Sequence, residues 1–144
     1  MRTRVRAATV LVAVLASCGG SDDERPAQPA APERSAGAPV QNAAARRFVA
    51  AVNSSSTARV MATLTDDAVV IDSGRRFGDA QAIRDWVDAE VTGVDGHITV
   101  DREQLSADGT VLTVDFRSSG FTGADLRYAF ETRGDRVTRL TLGG

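Results

Sequence analysis

The chain has 144 residues, 25% of them charged, and a formal net charge of −2, with 17 basic residues that are all arginine. One histidine and one cysteine are too few to build a zinc site, and no polybasic patch is present to hold nucleic acid or anionic lipid. The length allows one small domain with its own core.

Met1 to Ser17 reads as a secretion leader. Arg2, Arg4 and Arg6 form its basic start, and Ala7 to Ala16 is an apolar run broken only by Thr9. That run is shorter than the roughly 20 residues that cross a hydrocarbon core, so no transmembrane helix is expected. Leu15-Ala16-Ser17-Cys18 follows, holding the only cysteine of the chain. It resembles a bacterial lipobox, with leucine, alanine and serine ahead of the cysteine. The resemblance implies cleavage before Cys18 and lipid on its sulfur. One acyl chain holds a protein only marginally at a bilayer, whereas two or three hold it stably. The expected location is the extracytoplasmic face of the cell membrane. An ordinary secretory leader with a chance cysteine is the plainer alternative. Removing the leader's three arginines takes the formal net charge from −2 to −5, which argues further against a nucleic-acid partner.

Residues 18–41 form the next block. Gly19-Gly20-Ser21-Asp22-Asp23-Glu24 leads into a stretch with all four prolines, and no aromatic residue occurs before Phe48. Such a composition buries too little apolar surface to offset its ordering entropy. It reads as a tether, with an end-to-end reach of roughly 25–30 Å.

Residues 42–144 carry all seven aromatics and read as one domain. Asn42 caps a helix to Val52 with Phe48, Val49 and Val52 on one face. A second short helix is predicted over Thr57 to Leu64. Asp66-Asp67 reads as a turn, and Ala68 to Asp72 as a buried strand. A short strand is predicted near Phe77, and Asp79 opens a third helix running to about Val91. Four strands complete the domain: His97–Leu105, Thr110–Ser118, Asp125–Thr132 and Arg136–Leu142. The last two are joined by the two-residue turn Gly134-Asp135.

Three segments give this pattern a family likeness: Arg47-Phe48-Val49-Ala50-Ala51-Val52-Asn53, Leu64 through Asp72, and Phe77-Gly78-Asp79-Ala80-Gln81-Ala82-Ile83-Arg84-Asp85-Trp86. With the ending Phe130 through Leu142, they resemble the nuclear transport factor 2-like superfamily, which includes SnoaL-like polyketide cyclases and ketosteroid isomerases. The resemblance implies an α+β cone: three N-terminal helices packed on a curved antiparallel sheet, around an apolar pocket. It also offers a catalytic template, the ketosteroid isomerase that serves as a standard example of an aspartate base with a tyrosine and a protonated aspartate as oxyanion donors. Mapped by position, the base falls on Asp72, the tyrosine on Phe48 and the second aspartate near Leu126. Asp125 is adjacent, but one residue of shift reverses the face of a strand. The base is therefore present and both donors are missing, and a single such donor is worth about 10²–10³ in rate.

Other residues have a functional and a plainer reading. Asp72 is either a general base or a strand-end carboxylate bonded to the Ser73-Gly74 turn. Phe48, Trp86 and Tyr128 line a ligand pocket or pack helix against sheet. His97, the only histidine, follows Gly96 at a strand start, where exposure is common. Arg75-Arg76 holds an anionic ligand or is a solvated turn. Asp115 and Arg117 alternate with apolar residues and fall on the outer sheet face, where this superfamily often dimerises. No metal and no cofactor is expected. The leading expectation is a membrane-anchored, non-catalytic domain that binds a small apolar ligand or an envelope protein. The alternatives are a small cyclase- or isomerase-type enzyme using Asp72, and a dimerising structural module. Replacing Cys18 with serine is expected to release the protein from membranes or block its processing. Membrane fractionation checks this, and normal cleavage with retained binding would sink the lipid anchor.

Overall fold

The computed structural model describes residues 37–143. The leader, Cys18 and the stretch to residue 36 lie outside the described residues, as does Gly144. Gly37 to Gln41, the end of the stretch whose composition reads as a tether, lies against the domain. Ala38 donates its N–H to the Val100 carbonyl at 2.7 Å, and the N–H groups of Gln41 and Asn42 both reach the Glu103 carboxylate.

Helix α1 spans Ala43–Asn53, and Asn42 caps it by accepting the Ala45 N–H at 3.0 Å. Its buried face carries Ala44, Ala45, Phe48, Ala51 and Val52, the three- and four-residue spacing of one helical stripe. Ser56 caps α2, Thr57–Ala62, which buries Val60. Strand β1 covers Leu64–Asp72 and β2 covers Arg75–Phe77. Asp79 accepts the Ala82 N–H at 2.8 Å and opens α3, Ala80–Val87, whose inward face is Ile83, Trp86 and Val87. A π-helical turn, Asp88–Thr92, continues it. The remaining strands are β3 (His97–Ser106), β4 (Gly109–Arg117), β5 (Thr122–Arg133) and β6 (Arg136–Gly143).

The six strands form one sheet in the order β2-β1-β6-β5-β4-β3. All neighbours are antiparallel except β1 and β6, which are parallel. The helices cover the face that carries Val70, Leu112, Val114, Phe130 and Leu140, all buried. Phe48 meets Phe130 edge to face at 5.5 Å between ring centres, tying α1 to the centre of the sheet.

Three expectations change. The helices are not all N-terminal to the sheet, because α3 follows the β1–β2 hairpin. The sheet is mixed rather than antiparallel: the chain leaves β1, passes through α3 and the β3–β5 meander, and returns with β6 running the same way as β1. Finally, β1 starts at Leu64 rather than Ala68. Its pairing slips between Leu64 and Val69, so the Asp66-Asp67 stretch is an irregularity within a strand and not a turn that ends one.

Three more slips interrupt the sheet, one of them where Glu131 and Thr132 on β5 face Arg139 and Val137 on β6 and Thr138 is passed over. Between Val114 and Phe116 on β4, the facing residues on β5 run from Leu126 to Gly123, so Ala124 and Asp125 together oppose Asp115. This is a β-bulge, and Asp125 takes the positive φ of 54° that accompanies it. A second bulge sets Asp101 apart in β3.

The end of α1 is fastened to β3 by one side chain. Asn53 donates Nδ2–H to the Ile98 carbonyl at 2.8 Å and accepts the Ile98 N–H on Oδ1 at 2.7 Å. Asn53→Ala leaves both backbone groups of Ile98 without that partner, and a lost partner costs about 1–3 kcal/mol. Urea denaturation is expected to show a loss in that range. No loss would mean that solvent replaces the clamp.

Candidate functional site

The concave face of the sheet and the helices enclose a cavity of about 480 Å³. Its walls are mostly apolar: Phe48 and Val52 from α1, Trp86 from α3, Ile98 from β3, Phe116 from β4 and Leu126 from β5. Asp72, Arg75, Glu90 and Tyr128 add the charged and polar groups. This volume lies within the range of pockets that hold drug-sized molecules.

Strand register explains how residues distant in sequence meet here. Asp72 pairs with Leu142 across the parallel β1–β6 contact, Leu142 with Tyr128, and Tyr128 with Leu112. Residues directly opposite in a sheet point to the same side. Asp72 and Tyr128 therefore lie in one row on the concave face, with Leu142 between them.

The β1–β2 turn sets the partner of Asp72. Ser73 and Gly74 have φ of 51° and 83°, the two positive values that a type I′ turn requires. Such a turn makes Asp72 and Arg75 direct neighbours across the hairpin. Arg75 donates to Asp72 Oδ2 at 2.6 Å and grips Glu90 with two hydrogen bonds, at 2.7 and 2.6 Å. Trp86 Nε1–H also donates to Asp72 Oδ2, at 3.2 Å, and the Ser73 hydroxyl donates to Oδ1 at 3.1 Å. Asp72 thus bonds to the side chain of its own turn, but it also faces the cavity. The hydrogen bonds that Arg75 donates to Glu90 come first among the causes that push its guanidinium further into its charged form, with the Asp72 charge adding to them. The guanidinium also sits 5.6 Å above the Phe77 ring, which leans on Trp86 at 6.0 Å.

Tyr128 is the polar group left open. It is 6% exposed. No hydrogen bond among the described residues reaches its hydroxyl, yet no enclosed polar side-chain atom lacks a partner, so the hydroxyl opens onto the cavity. Burial pushes its pKa well above the ordinary tyrosine range, and the nearby Asp72 charge pushes the same way. The phenol is held neutral and ready to donate. The sequence had pointed only to Phe48 and Leu126 for donors. Tyr128 reads from the sequence as a pocket or packing residue, and its standing as a donor depends on a three-strand register that sets it in one row with Asp72.

The structure brings Phe48, Asp72, Trp86 and Tyr128 to one cavity. Leu126 also faces it, whereas Asp125 is exposed. The Asp125 N–H instead reaches Asp115 Oδ1 at 3.3 Å. Asp101 lies in the same group: burial, then the Asp115 and Asp125 charges, raise its pKa. Asp115 is half-buried there and Arg117 is exposed. Arg76 is exposed and does not line the cavity, and Arg75 is already held by two carboxylates. The expected anion site at Arg75-Arg76 is therefore filled from within. His97 is exposed and lines a separate groove of about 460 Å³ between α1, β3 and residues 37–40. Among the described residues no cluster of side chains could hold a metal ion.

Residues 45–140 match the model of the SnoaL-like domain. Comparison with curated proteins finds no match. Among solved structures, the chain is similar to a putative polyketide cyclase from Sinorhizobium meliloti. Identity is 24% and the TM-score 0.60, covering 69% of this chain and 93% of that one. It is similar to a protein of ketosteroid isomerase-like fold from Catenulispora acidiphila in complex with trimethylamine. Here identity is 16% and the TM-score 0.59, over 70% of this chain and 84% of that one. A computationally designed 17-OHP binder is 13% identical with a TM-score of 0.63, over 70% and 90%. At these identities the likeness concerns the fold.

Tyr128 is the only tyrosine of the chain, so an absorbance titration reads it alone. It is expected to ionise above the ordinary value of about 10. Asp72→Asn should lower the midpoint only part of the way, because burial is the larger cause. The unfolded chain ionises first, so stability falls as pH rises through the interval between the unfolded and folded values. A midpoint at the ordinary value would show that the phenol is solvated.

Proposed function

The chain belongs to the SnoaL-like domain family, and on that premise we propose that it is a lipid-anchored envelope protein whose cavity binds a small apolar ligand without transforming it. One observation carries the binding part of this reading. The domain keeps an apolar cavity of about 480 Å³ whose two carboxylates, Asp72 and Glu90, are bridged by one arginine. An apolar space of this size with a few polar groups suits a small-molecule occupant. Structures of similar fold, one bound to trimethylamine and one designed as a 17-OHP binder, support ligand binding in this scaffold. The lipobox-like Leu15-Ala16-Ser17-Cys18 and the proline-rich stretch after it support the anchor and the tether.

A second reading is a small cyclase- or isomerase-type enzyme with Asp72 as general base. The Tyr128 hydroxyl, which shares the cavity and a sheet row with Asp72, favours it, since it supplies a donor that Phe48 lacks. Turnover of a β,γ-unsaturated ketone, lost on Asp72→Asn, would replace the leading reading. Self-association is a third. It is supported by the row Ile71, Thr141, Ala129 and Val111 on the outer sheet face, away from the helices of the described residues.

Native mass spectrometry of the protein extracted from its membranes tests the leading reading. The expected result is a lipid-modified mass at Cys18 and a further small molecule that dissociates on activation. Leu126→Trp, which fills the cavity from a half-buried position, should abolish the second mass and keep the first. A ligand-free wild type, or a ligand retained by the filled variant, would overturn cavity binding.

A further inference from the structure

We propose that the cavity discriminates by charge: it takes neutral apolar molecules with one acceptor oxygen, seated on Tyr128, and refuses their carboxylate counterparts. The proposal rests on the cavity-binding reading and adds the chemical class of the ligand.

The polar groups of the cavity are not equivalent. Asp72, Arg75, Glu90, Ser73 and Trp86 satisfy one another in a closed network. Ser118 is likewise used, because its hydroxyl accepts the Phe121 N–H at 3.1 Å and donates to the Phe121 carbonyl at 3.3 Å. Ser119, which also lines the cavity, is exposed, which leaves the Tyr128 hydroxyl as the inner side-chain donor without a hydrogen-bond partner among the described residues. A ligand oxygen that accepts from it recovers a hydrogen bond that a pure hydrocarbon leaves unmade. The rest of the wall offers Phe48, Val52, Ile98, Phe116 and Leu126, which reward apolar bulk.

Charge decides the second half. Two carboxylates share one guanidinium at the rim, so the site carries a net negative charge. An entering carboxylate must lose hydration, meets that charge, and finds the arginine already engaged. A ketone or ether of the same shape meets no such opposition.

Three matched probes test this on the full-length chain by equilibrium dialysis: 2-acetylnaphthalene, 2-ethylnaphthalene and 2-naphthoate. They share a ring system and differ in carrying a neutral acceptor, none, or an anion. The ketone is expected to bind about tenfold tighter than the hydrocarbon, the effect of one net hydrogen bond. Tyr128→Phe, which keeps the ring, should erase that preference and leave the hydrocarbon's affinity unchanged. The naphthoate should bind at least about tenfold more weakly than the ketone, and Asp72→Asn should narrow that gap by removing a negative charge. Equal binding of ketone and hydrocarbon, a preference that survives Tyr128→Phe, or naphthoate binding as tight as the ketone each overturns the proposal while leaving cavity binding intact. Failure of all three probes to bind overturns cavity binding itself, and this inference with it.

Discussion

The parallel contact between β1 and β6 governs the geometry of the domain. It sets Asp72 level with Leu142, and antiparallel pairing of β6 with β5 then carries that level to Tyr128. One strand slip along β1 would turn Asp72 to the outer face, since strand side chains alternate. The slip is opposed on both sides of the contact. Val70 and Ala68 are buried on the concave face, and each would move to the outside. The Ser73 N–H also bonds the Leu142 carbonyl at 3.2 Å, just where the strand ends. Hydrophobic burial thus locks the position of a charged side chain that contributes little burial itself.

From that position, local turn chemistry does the rest. A two-residue turn with positive φ at Ser73 and Gly74 leaves Arg75 one choice of neighbour, Asp72. The π-helical turn after α3 brings Glu90 to the same guanidinium. Arg75 is 53% exposed along its side chain, so the bridge is screened and adds little to stability. Its effect is positional. It joins the β1–β2 hairpin to the π-helical turn, closes the rim of the cavity, and occupies the carboxylates that would otherwise be open to a cation.

The fold was largely legible in the sequence because it is written in local signals. Asn42 and Asp79 cap helices where the capping pattern placed them, and Gly134-Asp135 makes the tight hairpin. What escaped reading was non-local or irregular. The direction of β1 against β6 depends on a connection of more than sixty residues, which no window of alternation encodes. The β5 bulge hid the start of its strand, because Ala124-Asp125 interrupts the alternation that identifies strands. The site divided in the same way. Asp72, Phe48, Trp86 and Tyr128 were legible as inward residues of single elements. The Arg75–Glu90 bridge was not, because it joins a turn to a π-helical turn and neither announces its partner. Tyr128 reads locally as a pocket or packing residue, and only register across three strands sets its hydroxyl in one row with Asp72.

The same register bears on whether the cavity does chemistry. A general base must lend an unshared electron pair to the substrate proton within hydrogen-bond reach. Asp72 Oδ2 already accepts from Arg75 and Trp86, and Oδ1 accepts from Ser73. Three of the acceptor positions of the carboxylate are therefore already used. To act as a base it would have to use the remaining lone pair on Oδ1 or give up one of these bonds. Tyr128 faces the opposite condition. Its proton is held by burial and by the Asp72 charge, so donation requires no rearrangement. A site whose carboxylate is engaged and whose donor is free is prepared to hold an acceptor oxygen, and less prepared to remove a proton. That asymmetry supports the binding reading proposed above.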